Sequence, residues 1–161
     1  MRDAHPSDRA DHPGGLRALR HAAHRPRRRP AAGPRQDRAA EIENGRPGAP
    51  LNLALIRSEP FAAALPLRRL ERHPLSAQAF LPLAVGDYLV VVAPDAGGRP
   101  DEASLRAFRV PAGTGIVYRS GAWHAHMTTM AEPGTFAMLV HEDGSPGDCV
   151  FASIAPVTPE G

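Results

Sequence analysis

From about Gly45 to its end the chain is a series of short apolar segments, each cut off by Gly or Pro. Runs of this length bounded by turn residues read as strands, and repeated strands of this kind build a barrel or a sandwich. Leu51–Ile56 alternates apolar and other residues like a half-buried strand between Pro50 and Pro60. Leu67–Glu71 and Ala79–Leu83 follow, and Pro82 inside the latter implies an edge position or a bulge because it cannot donate to a ladder. Tyr88–Ala93 is apolar at every position and reads as a central strand buried on both faces. Beyond a Gly-containing loop at Pro94–Pro100, Asp101 is placed to cap a helical turn. Further strands are expected at Ala107–Val110, Gly115–Arg119, His124–Thr129, Thr135–Val140 and Cys149–Ile154. The expected fold class is all-β.

Residues 1–44 differ in kind. Pro6, Pro13, Pro26, Pro30 and Pro34 punctuate a stretch whose apolar residues are mostly Ala, with no strand or helix period. So little apolar surface cannot offset chain entropy, which predicts a disordered Arg/Pro-rich tail with at most a short helix around Leu16–Ala23. Arg27–Arg29 has the composition of a nucleic-acid or membrane-surface patch. The preferred reading is a solvated or out-of-frame stretch, so neither nucleic acid nor membrane is expected as a partner. His5, His12, His21 and His24 lie in it and are expected to be inert.

The net charge of +2 hides an asymmetry. Residues 1–50 carry 11 basic and 6 acidic residues, a balance of +5, and residues 51–161 carry 8 and 11, a balance of −3. All basic residues are Arg. The lone Cys149 excludes an internal disulfide and a cysteine-based zinc site and suits a reducing cytosol. No apolar run approaches the ~18 residues of a membrane span, and a cytoplasmic location is expected.

The chemistry concentrates in two places. Glu71-Arg72-His73 with Gln78 forms one cluster, and Gly121-Ala122-Trp123-His124 the other. Glu71-x-His73, Gln78 and Gly86 resemble the first motif of a cupin, with Glu for its first His and Gln for its Glu. Gly113, Arg119-x-Gly121 and His124 resemble the second, with Arg for Pro. A single cupin-like β-barrel (double-stranded β-helix) over residues 45–161 follows as the expected architecture. Glu71 and His73 would share its inner face, opposite His124.

A closer likeness lies in Leu70-Glu-Arg-His-Pro-Leu75, Gln78-Ala-Phe80, Leu89–Pro94, Leu105-Arg-Ala-Phe108 and Gly115–His124. In this order they resemble the ureidoglycolate lyase family. Two departures stand out: residues 1–42 lack the family's opening strand segment and His-Asp-Leu element, and His126 stands where the family usually has Pro. On a regular strand His126 would share the face of His124 and either join the site or line the barrel mouth, and the second is the preferred reading.

The resemblance implies a lyase that cleaves (S)-ureidoglycolate to glyoxylate and urea in allantoin and purine catabolism. One base, one acid and one anion clamp suffice for that reaction. His124 is the expected base, since imidazole titrates near pH 6.5. His73, or Glu71 with a pKa raised by burial, would protonate the leaving urea. Arg119 is preferred over Arg72 for the substrate carboxylate, because strand alternation sends Arg72 away from Glu71. Gln78 and Tyr118 are candidates for the amide and hydroxyl groups. Alternatively, Glu71, His73, Gln78 and His124 would hold a divalent metal, with nickel ahead of manganese or zinc, and no organic cofactor is implied. Trp123 and Phe80 are expected in the core, and His141-Glu142-Asp143 in a turn. The family resemblance also implies a homodimer. The competing functions are a non-catalytic cupin that binds a small carboxylate or sugar, and an inactive product lacking the opening strands.

Overall fold

The computed structural model describes the backbone of Leu16–Leu19 and residues 39–62 and 65–159. In chain order the strands are β1 (Leu16–Leu19), β2 (Leu51–Ser58), β3 (Leu67–Arg72), β4 (Gln78–Ala84), β5 (Tyr88–Ala93), β6 (Asp95–Ala96), β7 (Arg99–Pro100), β8 (Arg106–Val110), β9 (Gly115–Tyr118), β10 (Trp123–His124), β11 (Thr128–Thr129), β12 (Gly134–His141) and β13 (Val150–Val157). Among the described residues a single 3-10 turn, Glu102–Ser104, interrupts them, and the Asp101 side chain caps it by accepting from the Ala103 amide.

Among the described residues two large antiparallel sheets result, beside a two-stranded β6-β7 ribbon. The first runs β1-β9-β4-β12-β2; the second runs β11-β5-β10-β3-β13 with β8 beside β5. Between them lies the main core, where Tyr88, Val90 and Val92 of β5 meet Phe80, Ile116, Tyr118 and Phe136 of the first sheet. The Phe136 ring sits edge-on to Tyr88, with centroids 5.1 Å apart. Leu89, Val91 and Ala93 face the other way and join Leu70, Trp123, Ala152 and Ile154 in a second cluster. The β5–β8 connection crosses to β13 at the edge of that cluster, where the Ala155 amide donates to Glu102 Oε2 at 2.8 Å. Burial on both faces is therefore why β5 carries no polar residue.

The all-β class is as expected, and the two sheets enclose the core in a cupin-like manner without closing into one continuous barrel ladder among the described residues; they meet at one corner, where Thr129 of β11 hydrogen-bonds Glu59 and Phe61 just past β2. Pro82 lies in an interior strand rather than at an edge, and the ladder absorbs it through a register shift between Thr135 and Phe136. The single strand expected at His124–Thr129 is broken into β10 and β11, which pair separately with β5. Leu16–Leu19 is a strand, not a helical turn. Its backbone pairs with Gly115–Tyr118, whose outer edge would otherwise leave ladder groups open. The remainder of the expected tail falls outside the described residues up to residue 38. Among the described residues, no helix is long and apolar enough to cross a membrane.

Candidate active site

Main-chain pairing brings the two clusters together. Across the second sheet, Val92, His124, Glu71 and Phe151 stand in register on β5, β10, β3 and β13. Since Val92 faces the main core, strand alternation turns the whole row toward it. His73 follows directly after β3. The turn before β10 is tied to this residue, for the Gly121 amide donates to the His73 carbonyl at 2.8 Å and Ser120 Oγ to the Pro74 carbonyl at 2.7 Å. Gly121 has φ +78°, a conformation that a side chain would strain. On the other side, the Ala77 amide donates to the Glu43 carbonyl and the Gly45 amide to that of Leu75, at 3.0 and 2.7 Å. Residues 43–45 thus brace the loop that carries His73.

His124 is 1% exposed and His73 6%. The Nδ1 atom of His124 lies 2.9 Å from the Ala122 carbonyl, which can only accept, so Nδ1 carries the hydrogen. In the neutral ring Nε2 is then a lone pair, 3.5 Å from Glu71 Oε1 and without a hydrogen-bond partner. Tyr118 backs the imidazole, ring on ring at 3.9 Å, and the His73 ring lies 6.0 Å away on a nearly parallel plane. Nδ1 of His73 is likewise buried without a hydrogen-bond partner. One ligand atom from each of Glu71, His73 and His124 falls within 4.8 Å of the others.

Charge separates the roles of these groups. Burial by itself would raise the Glu71 carboxyl, but the His124 and His126 imidazoles beside it more than offset that and hold the group far below the usual carboxylate range. Glu71 is therefore an anion at neutral pH, and the raised pKa expected of a carboxylic acid donor is not found. His73 is pushed down by burial and by His124, against the pull of Glu71. Its ring is neutral at neutral pH.

Of the other expected site residues, the two arginines lie elsewhere. Arg72 projects to the opposite face, where it pairs with Asp95 Oδ1 at 2.6 Å and covers the Trp123 ring at 4.6 Å. Arg119 is exposed and lines a depression with Glu41, Glu43 and Val117 on the outer side of the first sheet. Tyr118 points its hydroxyl at Met127 Sδ, and burial raises its pKa. Gln78 Nε2 meets Met138 Sδ at 3.1 Å, and Oε1 is buried without a partner. His126 reaches Glu71 from the solvent side, with Nδ1 3.8 Å from Oε1 and a side chain 70% exposed.

A family model described as ureidoglycolate lyase matches residues 30–158. The chain belongs to the ureidoglycolate lyase family. It is 38% identical over 100 residues to "Ureidoglycolate lyase 2" of Rhizobium meliloti (strain 1021), which covers 62% of this chain and 60% of that protein. Over 109 residues it is 37% identical to "Ureidoglycolate lyase" of Chelativorans sp. (strain BNC1), covering 68% and 64%. A similar protein of the same name from Pseudomonas entomophila (strain L48) is 36% identical over 110 residues, covering 68% and 65%. The chain therefore spans somewhat under two thirds of the length of these curated relatives. The ureidoglycolate lyase match begins at Pro30, upstream of the domain start expected at residue 45, and includes the bracing residues 43–45.

Within this ureidoglycolate lyase framework the donor set fits a divalent ion, with two imidazoles, one carboxylate and two buried ring nitrogens lacking partners. Two neighbours escaped the sequence reading. Glu142, assigned to a turn, places Oε1 3.7 Å from His73 Nδ1. Cys149 borders the same space, and its thiol is pushed up to about 11 by burial and by Glu71 and Glu142, so it is protonated at neutral pH. Their only sequence signal is position: both flank the β12–β13 connection, which returns beside His73.

Proposed function

We propose that this chain cleaves (S)-ureidoglycolate to glyoxylate and urea, within purine and allantoin breakdown. The observation that carries the reading is the convergence of Glu71, His73 and His124 inside a chain of the ureidoglycolate lyase family. The substrate bears its hydroxyl and its urea nitrogen on one carbon, next to a carboxylate. Cleavage therefore needs a proton taken from oxygen and a proton delivered to the leaving nitrogen, while the C–N electrons depart with urea and the C–O bond becomes the aldehyde.

His124 Nε2 is suited to both transfers, because the two atoms are geminal and one nitrogen can reach them in turn. The ionised Glu71, 3.5 Å away, stabilises the imidazolium formed between the transfers. His73 stays neutral and supplies a second buried nitrogen toward the substrate. Gln78 Oε1, buried and lacking a partner, suits an amide N–H of the urea group.

Glu71, His73 and His124 would also hold a divalent ion, nickel before manganese or zinc, and an ion there supplies Lewis-acid polarisation of a hydroxyl or carboxylate oxygen. Nε2 of His124 serves one use at a time. Turnover retained after chelation assigns it to proton transfer; turnover lost on chelation and regained with nickel assigns it to the ion.

A homodimer is part of the proposal. The outer face of the first sheet exposes Leu51, Leu53, Leu55, Leu81 and Leu83, and β2 is its edge strand among the described residues. An apolar edge of this kind needs covering. The free thiol of Cys149 agrees with a cytoplasmic location.

The deciding experiment measures glyoxylate and urea released from ureidoglycolate by the folded protein, with and without added nickel. Release of both in equal amounts, abolished in His124→Ala, is the expected result. No turnover by a folded sample in either condition overturns the lyase reading and leaves a binding protein.

A further inference from the structure

The two arginines expected to clamp the substrate carboxylate both point away from the site, and a third stands on the right face. Arg69 is two residues before Glu71 on β3, so its side chain leaves the strand on the same side, one pleat or roughly 7 Å along. Its partner in register is Ser153, while Phe151 is paired with Glu71. The guanidinium carbon lies 4.5 Å over the Phe151 ring. A cation–π contact of this kind restrains the guanidinium without using its N–H groups, which lie in the guanidinium plane.

Three other arginines are committed to carboxylates. Arg46 is paired with Asp143 and Asp148, Arg72 with Asp95, and Arg109 with Asp87. No carboxylate lies within ion-pair distance of Arg69 among the described residues. A groove of about 300 Å³ opens beside it, lined by Arg68, Arg69, Glu71, His126, Thr128 and Phe61; of its two arginines only Arg69 shares the strand face of Glu71. Glu71 is common to this groove and to the row that holds His124.

We propose that Arg69, held flat by Phe151, binds the carboxylate of the substrate at the mouth of this groove and so sets both affinity and orientation. The inference rests on the lyase reading above. The substrate carboxylate is bonded directly to the hydroxyl-bearing carbon, so an anion site one pleat from Glu71 leaves that carbon pointing inward to Glu71 and His124. Two parallel N–H···O bonds from a guanidinium also fix the carboxylate plane, which a point charge does not.

The test compares wild type with Arg69→Gln, Arg69→Lys and Phe151→Leu, each checked for folding by a thermal melt. Arg69→Gln is expected to raise KM for ureidoglycolate by about 10- to 100-fold, the range of a charged hydrogen bond, with kcat within about threefold. Arg69→Lys should recover part of the loss, and Phe151→Leu should raise KM less than Arg69→Gln. Binding of glyoxylate by calorimetry supplies an arm that needs no turnover, and Arg69→Gln should weaken it in parallel. An unchanged KM and unchanged glyoxylate affinity in folded Arg69→Gln overturn the inference while the lyase reading stands. A wild type without turnover sinks the lyase reading, and glyoxylate binding still decides whether Arg69 is an anion site.

Discussion

His124 Nε2 and Glu71 Oε1 lie 3.5 Å apart on adjacent strands, directly opposite in register, with the nitrogen fully buried. The Ala122 carbonyl fixes the hydrogen on the far nitrogen, so a neutral His124 turns a lone pair toward an anion. That arrangement favours anything that brings a positive charge between them: a proton, a cation or a donating hydroxyl.

Removing either member should cost activity unequally. His124→Ala should lower kcat by roughly 10²- to 10⁴-fold, the usual contribution of a general acid–base group. Glu71→Gln keeps the shape and removes the charge, and should cost about 10- to 100-fold. Steady-state rates of glyoxylate release check both, and near-equal losses would argue against a supporting role for Glu71.

Acid should destabilise the fold in two stages. The His73 pKa is lowered in the folded protein, so between that value and about 6.5 the unfolded chain binds the extra proton, and stability falls as pH drops through this window. Glu71 is lowered too, so its contribution is present above about pH 4.5 and is lost below it. His126 is raised and acts oppositely, its contribution fading as pH rises above about 6.5. Melting temperatures measured from pH 8 to 3 should show a steeper decline in wild type below pH 4.5 than in Glu71→Gln.

Nickel titrated calorimetrically into the protein should bind with proton release and weaken as pH falls, because the imidazoles must be unprotonated. His73→Ala should reduce affinity by more than the ~10–100-fold typical of losing an outer-shell partner. Equal affinity in wild type and His73→Ala would remove that residue from the metal site.

On the outer sheet face, Leu53→Arg combined with Leu55→Arg should convert a dimer to a monomer, since two buried charges would face their own copies across a two-fold axis. Sedimentation velocity reads the change. A double variant that sediments like wild type would exclude this face.

Arg72→Ala should lower the melting temperature by a few degrees and leave KM near that of wild type. Its guanidinium is spent on Asp95 and Trp123 at the far face of the sheet. A large rise in KM would place it back among the substrate contacts.

Much of this architecture was legible in the residues. Tyr88–Ala93 announces a strand buried on both faces because every position is apolar, Asp101 announces its cap, and Pro82 announces a ladder defect. These are local properties, carried by a few adjacent residues. The two motif clusters likewise identified Glu71, His73 and His124 and the family they belong to. Tertiary structure decided what adjacency cannot. Strand register set His124 against Glu71, pairing of β3 with β13 put the Arg69 guanidinium over the Phe151 ring, and pairing with β9 made Leu16–Leu19 a strand. The ionisation of Glu71 follows from two histidines opposing its burial, and Glu142 reaches His73 only because the chain returns beside it. Period and composition select elements, whereas a site depends on distances between residues far apart in sequence, and those distances exist only once the strands have paired.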